Sequence, residues 1–358
     1  MTVLRLPGLI DSHVHLREPG GTHKEDFSTG TAAALAGGIT TVLAMPNTSP
    51  PLIDSSSLAL AEEAARLRSR CDYGLYVAAT AENVETICNL ADRAVGLKFY
   101  LDSTFGPLLI QGVSVIREHM SRCGSEMPMV FHAEGRSLAT VLMLAYLENC
   151  PVHIAHVSRR EEIELIRDAK QRGIKVTCEV CPQYLFLSTD DIPRLGPGWC
   201  EVRPMLASPD DCAALWENID VVDTIATDHA PHTASEKSGA TPPAGFPGLE
   251  TVLALMFTSI HEERITLEGL IKRMYDNPRC IFSLPEQPNT WIEVDTEETW
   301  TVRGAEMQSR SGWSPFEGTT LRGRVKRVVL RDKLAYENGI VYAEPGTGHN
   351  VRTIVIKG

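Results

Sequence analysis

The sequence predicts an α/β chain folded as a (β/α)8 TIM barrel, with a small β-rich satellite formed mainly by its C-terminal segment. Three observations carry that expectation. Eight short apolar or β-branched runs recur between Gly8 and Thr227. Segments with apolar residues at three-and-four spacing separate them, as covering helices require. Beyond Pro285 the texture changes to short alternating runs broken by Gly and Pro, which read as strands of an antiparallel sheet.

The eight runs are Gly8–His15, Ile39–Met45, Gly74–Ala79, Val95–Leu101, Met129–Ala133, Val152–Val157, Lys175–Val180 and Val222–Thr227. Nearly continuous apolar character suits parallel strands buried on both faces. Helices are expected over Ser56–Arg70, Glu82–Asp92, Val113–Arg122, Ser137–Glu148 and Arg160–Arg172, with Gly248–Glu262 and Leu267–Asn277 completing the outer ring. Eight strands with intervening helices favour a closed barrel over a doubly wound sheet. Such a barrel uses roughly 250 residues, so a chain of 358 leaves room for a satellite. Its expected strands are Thr290–Val294, Trp300–Val302, Arg324–Leu330 and Gly339–Tyr342, joined by Val3–Leu6. The division is then residues 8–284 for the barrel, and 1–7 plus 285–358 for the satellite.

The net charge is −12, and Lys and Arg form no runs. Nucleic-acid binding needs a basic patch to neutralise phosphates, so that class is set aside. A small anionic substrate is compatible, because a few inward arginines reverse the local sign. No segment is apolar for the ~18 residues of a membrane span, and the first residues lack a signal-peptide core. The nine cysteines, an odd number scattered through the elements, read as reduced thiols of a cytoplasmic protein. Cys178 and Cys181 form a CxxC whose odd spacing sends them to opposite faces of a strand, as structural thiols.

Chemistry concentrates at strand ends. His13 and His15 are two apart on the first strand, so both imidazoles face one side. His132 ends the fifth strand, His156 the sixth and Asp228 the eighth. Residues at the C-terminal ends of barrel strands converge on one cavity, and this set of nitrogen and oxygen ligands suits zinc. Lys98 lies in the apolar run Val95-Gly96-Leu97-Lys98-Phe99-Tyr100. A buried ammonium is costly, so Lys98 is expected to be paired, deprotonated or modified. Its neutral amine beside two cations can capture CO2 as a bridging carbamate.

With these residues the pattern resembles the amidohydrolase superfamily, and within it the dihydroorotase family. The motifs are His-Val-His-Leu-Arg-Glu-Pro-Gly at 13–20, Met-Pro-Asn at 45–47, Asp-His-Ala-Pro-His at 228–232 and Gly-Phe-Pro-Gly-Leu-Glu at 245–250. The likeness spans essentially the whole chain. It is greatest to the dihydroorotase domain of the animal multifunctional pyrimidine-synthesis protein.

The resemblance implies two Zn2+ per chain: His13, His15 and Asp228 on one, His132 and His156 on the other, bridged by carboxylated Lys98 and a hydroxide. Asp228 is the implied catalytic proton carrier. The implied reaction is reversible cyclisation of N-carbamoyl-L-aspartate to L-dihydroorotate. Arg17, Asn47, Arg203, His232 and the backbone of Gly245 are the implied substrate contacts. Asp102–Leu109 resembles a covering loop, with Thr104 and Phe105 at the ligand. The likeness also implies a homodimer, fused to or associated with carbamoyl-phosphate synthetase and aspartate transcarbamoylase.

The chain departs from the family at some positions. Ala155 stands where the animal domain has a cysteine, which removes the thiol for an additional metal. Gln183-Tyr184 replaces a His-His pair, and Glu179 is expected either to be structural, the favoured role, or to reach the cavity. The short segment before His13 suggests a domain homologous to part of a multifunctional chain. Two other readings stand beside dihydroorotase: a hydantoinase- or allantoinase-like cyclic-amide hydrolase, and a catalytically inactive scaffold barrel.

Overall fold

A computed structural model describes residues 3–103, 107–124 and 126–353. The strands in chain order are β1 Val3–Pro7, β2 Leu9–Val14, β3 Ile39–Ala44, β4 Asp72–Ala78, β5 Gly96–Tyr100, β6 Met129–His132, β7 Val152–Ile154, β8 Val176–Val180 and β9 Thr224–Ile225. They continue with β10 Trp291–Thr301, β11 Thr320–Leu330, β12 Lys333–Glu337 and β13 Ile340–Val341. β2 to β9 form an eight-stranded parallel sheet in sequence order. It closes through a parallel bridge from Val14 to His229 and a 2.7 Å hydrogen bond from His15 N to His229 O. The expected barrel is present.

At two strand ends that stop short of their apolar runs, side-chain acceptors take backbone N–H groups near the cavity. At the end of β7, His156 N donates to Glu179 Oε1 at 3.2 Å. Beyond β9, Thr227 N donates to Asp11 Oδ1 at 3.2 Å. Three residues there adopt positive φ: Arg17 (60°), His156 (37°) and Asp228 (46°). Such values are uncommon outside glycine and concentrate where surrounding structure over-determines the backbone.

β1, β10, β11, β12 and β13 form the antiparallel satellite sheet in that order. Its β11 packs on helix Val252–His261, where a Cβ on Gly323 would lie 2.6 Å from Phe257 Cβ. The tail then returns under the barrel. Tyr73 N donates to His349 O and Val351 N to Tyr73 O, each at 2.9 Å, and Arg352 Nε donates to Ala94 O at 3.1 Å. No helix among the described residues is long and apolar enough to cross a membrane.

Several expectations change, among them the separate strands Thr290–Val294 and Trp300–Val302, which form the single strand β10. The helix over Glu82–Asp92 is only a 3-10 turn, Ile87–Leu90. Asn83 explains this by accepting from Thr80 N and donating to Ile53 O and Ala78 O, all at 2.9 Å, a local alternative to helix. Cys88 in that turn is bonded to Cys123, which ends the helix Val113–Cys123, so not all nine cysteines are free thiols. The two elements are outer-ring neighbours, and seven cysteines remain free. Leu267–Asn277 extends as Leu267–Ile271, a π-turn Lys272–Asp276 and Asn277–Ile281. Finally, an additional helix, Phe27–Ala36, begins at an Asp26–Thr29 capping box. It is buried on most sides, so it lacks the polar stripe that marks a surface helix.

Candidate metal centre and substrate pocket

His13, His15 and Asp228 bring one ligand atom each to within 4.8 Å of one another. Glu179 Oε1 lies 2.8 Å from His13 Nδ1. A carboxylate only accepts, so the His13 proton sits on Nδ1. His15 Nδ1 likewise donates to Asn47 Oδ1 at 2.7 Å. The remaining nitrogens, both Nε2, face Asp228 Oδ1 at 3.3 Å from His13 and 2.9 Å from His15.

Burial pushes the His15 pKa down to about 4, so at neutral pH its Nε2 carries a lone pair. Burial raises the cost of ionising Asp228, but His13 and His15 outweigh it and hold its pKa below the usual carboxylate range. At neutral pH the His15 Nε2 lone pair thus confronts a carboxylate oxygen at 2.9 Å, with His13 Nε2 at 3.3 Å from the same oxygen. A cation resolves that contact, so these residues fit a metal.

The second half lies beside the first. His132 Nε2 donates to Glu134 Oε1 at 3.1 Å, leaving Nδ1 to face His156 Nε2 at 3.0 Å. The His13 and His156 rings are 5.3 Å apart between centroids, which links the halves. Lys98 is fully buried, and its Nζ has no hydrogen-bond partner among the described residues. Burial brings its pKa down to about 8. An orphaned amine whose pKa is lowered by burial, lining the cavity with both imidazole clusters, fits a lysine awaiting modification.

Arg17 stands at the mouth. Its Nε donates to Pro231 O at 3.2 Å, and its guanidinium lies 3.0 Å from His232 Nε2. Among the described residues it has no carboxylate partner in ion-pair contact. Burial lowers its pKa to about 10, so it remains charged at neutral pH. Burial, Arg17 and Lys24 push His232 down to about 2. The neutral His232 ring then donates from Nε2 to Ala244 O at 2.9 Å and accepts from Lys24 Nζ at 3.2 Å.

The structure gathers His13, His15, Arg17, Asn47, Lys98, His132, His156, Arg203, Asp228 and Gly245 around one cavity. His232 stands behind Arg17 and does not line it. Arg203 already donates to Glu201 Oε2 at 3.0 Å. Gly245 N donates to Glu201 O, so its amide is engaged, while φ of +142° and a Cβ-to-Ala230 O distance of 2.3 Å exclude a side chain. Gly20 serves the Arg17 turn the same way, at φ +91° and 2.3 Å from Ser49 O. Thr104 and Phe105 lie outside the described residues.

Sequence reasoning missed three contributors. Asp11 accepts from Thr227 Oγ1 at 2.6 Å and so places the backbone before Asp228. Its spacing two before His13 was the available signal. Glu179, expected to be structural, sets the His13 tautomer. Lys237 is 1% exposed and ties Glu201 O and Pro243 O at 2.8 and 3.0 Å; its short helix, Ala234–Lys237, carries no pattern that reveals this.

The amidohydrolase family model matches residues 4–261. This chain belongs to the amidohydrolase family. A multifunctional protein CAD from Squalus acanthias is 52% identical over 98% of this amidohydrolase, which spans only 16% of that relative's length. A dihydroorotase of Pyrococcus furiosus is 33% identical over 95% of the chain and 83% of its own. Among solved structures, an L-hydantoinase (dihydropyrimidinase) from Arthrobacter aurescens matches with a TM-score of 0.92 at 26% identity, covering 97% of this chain and 88% of that one. An inactive dihydroorotase-like domain of a Chaetomium thermophilum CAD-like multifunctional protein matches at 0.84 and 28%, covering 98% and 99%.

Proposed function

We propose that this amidohydrolase is a dihydroorotase, catalysing the reversible cyclisation of N-carbamoyl-L-aspartate to L-dihydroorotate in pyrimidine synthesis. One observation carries the reading: the imidazoles of His13 and His15 converge on Asp228, and beside them stands Arg17, a charged side chain with no anionic partner among the described residues. The first half suits a metal, and the second suits a substrate bearing a carboxylate. His13, His15 and Asp228 would hold one zinc, and His132 and His156 the other, with carboxylated Lys98 between them. Bound metal supplies Lewis acidity, polarising a carbonyl and lowering the pKa of water.

The side chains do the rest. Arg17 and the Asn47 amide grip the free carboxylate and fix the ring's orientation. Asp228 takes a proton from water and delivers it to the ring nitrogen as the cyclic amide opens; ring closure runs the same transfers backwards. Thr104 would hydrogen-bond the ligand and Phe105 would exclude water from a covering loop. The loop's preceding anchor is Asp102, whose carboxylate accepts from Glu134 N at 2.8 Å. Thr104→Ala and Phe105→Ala are each expected to lower activity with zinc retained; full activity in both would make this an ordinary surface loop.

Lys98 gains its carboxylate when the neutral amine adds to CO2: an N–C bond forms and one N–H proton passes to solvent. Because its pKa is brought down to about 8, the reactive amine fraction rises from pH 7 to about pH 9. At a fixed concentration of dissolved carbon-13 CO2, metal-free protein should therefore gain the carbamate faster at the higher pH, and Lys98→Ala should gain none there. Equal labelling of the variant, or a rate that falls with pH, would remove Lys98 from this role.

The same proposal extends to a homodimer and to a cytoplasmic setting in association with carbamoyl-phosphate synthetase and aspartate transcarbamoylase activities. It also divides the chain at residue 284 into barrel and satellite. The likeness to an L-hydantoinase supports a second reading, hydrolysis of a cyclic amide without a carboxylate. Steady-state assays with dihydroorotate and unsubstituted hydantoin side by side decide between them. Turnover of dihydroorotate with little of hydantoin is expected. The reverse preference would establish the second reading, and no turnover of either would leave the scaffold reading.

A further inference from the structure

Tyr100 ends β5 two residues after Lys98, so both side chains project from the same face of the strand. It lines the cavity shared by Lys98, His132, Asp228, Arg17 and Asn47. The residue is 3% exposed, and its hydroxyl has no hydrogen-bond partner among the described residues. Its ring centroid lies 5.5 Å from Lys98 Nζ and packs with Ala78 and Leu108. Its backbone is fixed from both sides: Tyr100 pairs with His132 in the sheet, and Ile110 N donates to Tyr100 O at 2.8 Å.

A buried hydroxyl left without a partner costs stability, and native structures rarely retain one without a use. Phenylalanine would fill the same space without that cost. Tyr100 is also locked at the strand end where ligands meet barrel enzymes, between the ligating cluster and the Arg17 side. From these contacts we infer that Tyr100 is a substrate-contacting residue, whose O–H donates a hydrogen bond to an oxygen of the bound substrate.

This inference rests on the cyclic-amide hydrolase reading and deepens it. The test compares wild type with Tyr100→Phe, measuring kcat and KM on dihydroorotate, bound metal and Tm together. Wild-type turnover is the control; its absence would count against the function and not against Tyr100. With wild type active, the variant should lose about tenfold to a hundredfold in kcat/KM, as for a lost hydrogen bond to a polar or charged ligand. Its metal content should be unchanged and its Tm equal or higher, since an unsatisfied group has been removed. A merely structural tyrosine would instead lower Tm and leave kcat/KM within about twofold, which would overturn the inference. Loss of activity in proportion to loss of metal would overturn it too, by making Tyr100 a support of the ligand cluster.

Discussion

Asp228→Asn is expected to lower dihydroorotate turnover by about 10²- to 10⁴-fold, the usual contribution of a positioned proton carrier, while the barrel stays folded. The fold should survive because Asn matches Asp in volume and tolerates the left-handed backbone that Asp228 adopts at φ 46°. The backbone around it is also held independently of the carboxylate. His229 O accepts from His15 N, and Ala230 N donates to Phe246 O, both at 2.7 Å. The amide cannot take up and release the proton that the carboxylate moves, and it offers a weaker metal ligand. Circular dichroism and Tm check the fold while kinetics check the chemistry. Activity within about tenfold of wild type would mean that another group carries the proton.

Arg17→Ala and Arg17→Lys should both lose roughly thirtyfold or more in kcat/KM on dihydroorotate, corresponding to about 2–5 kcal/mol for a charge pair broken in a desolvated site. Lysine should not rescue, because its point charge cannot reproduce a planar two-pronged contact. The structure adds a second reason. Arg17 Nε is committed to Pro231 O and its Nη2 lies 3.0 Å from His232 Nε2, contacts that fix the orientation of the guanidinium and that an ammonium would not reproduce. Hydantoin has no carboxylate, so any slow turnover of it should be nearly unchanged in both variants. Equal losses on the two substrates would indicate general damage to the pocket, and retention within about threefold on dihydroorotate would remove Arg17 as the clamp.

The barrel was legible because buried parallel strands must be apolar throughout, and His13, His15, His132, His156 and Asp228 announced themselves as polar residues at the ends of such runs. Lys98 was legible for the same reason, as a charge with no place in an apolar strand. Less visible were interactions that connect distant segments. The role of Glu179 depends on β8 lying where its carboxylate reaches His13, which spacing along the chain does not reveal. Lys237 joins carbonyls of residues 201 and 243 only once three loops have met. The helix Phe27–Ala36 hid because a helix covered on most sides has no polar stripe, and the Glu82–Asp92 segment misled because Asn83 offers its own backbone a competing set of hydrogen bonds. Tyr100 was available in principle, two residues from Lys98, but an aromatic residue in a strand reads first as core.

On the proposed function, the imidazoles that meet at Asp228 hold a metal on which turnover depends. Elemental analysis of gently desalted protein, paired with dihydroorotate turnover before and after exhaustive chelation, tests it most directly. Near two zinc ions per chain are expected, with activity falling to background on chelation and returning when zinc and bicarbonate are restored. Full turnover by protein shown to contain no metal would contradict it.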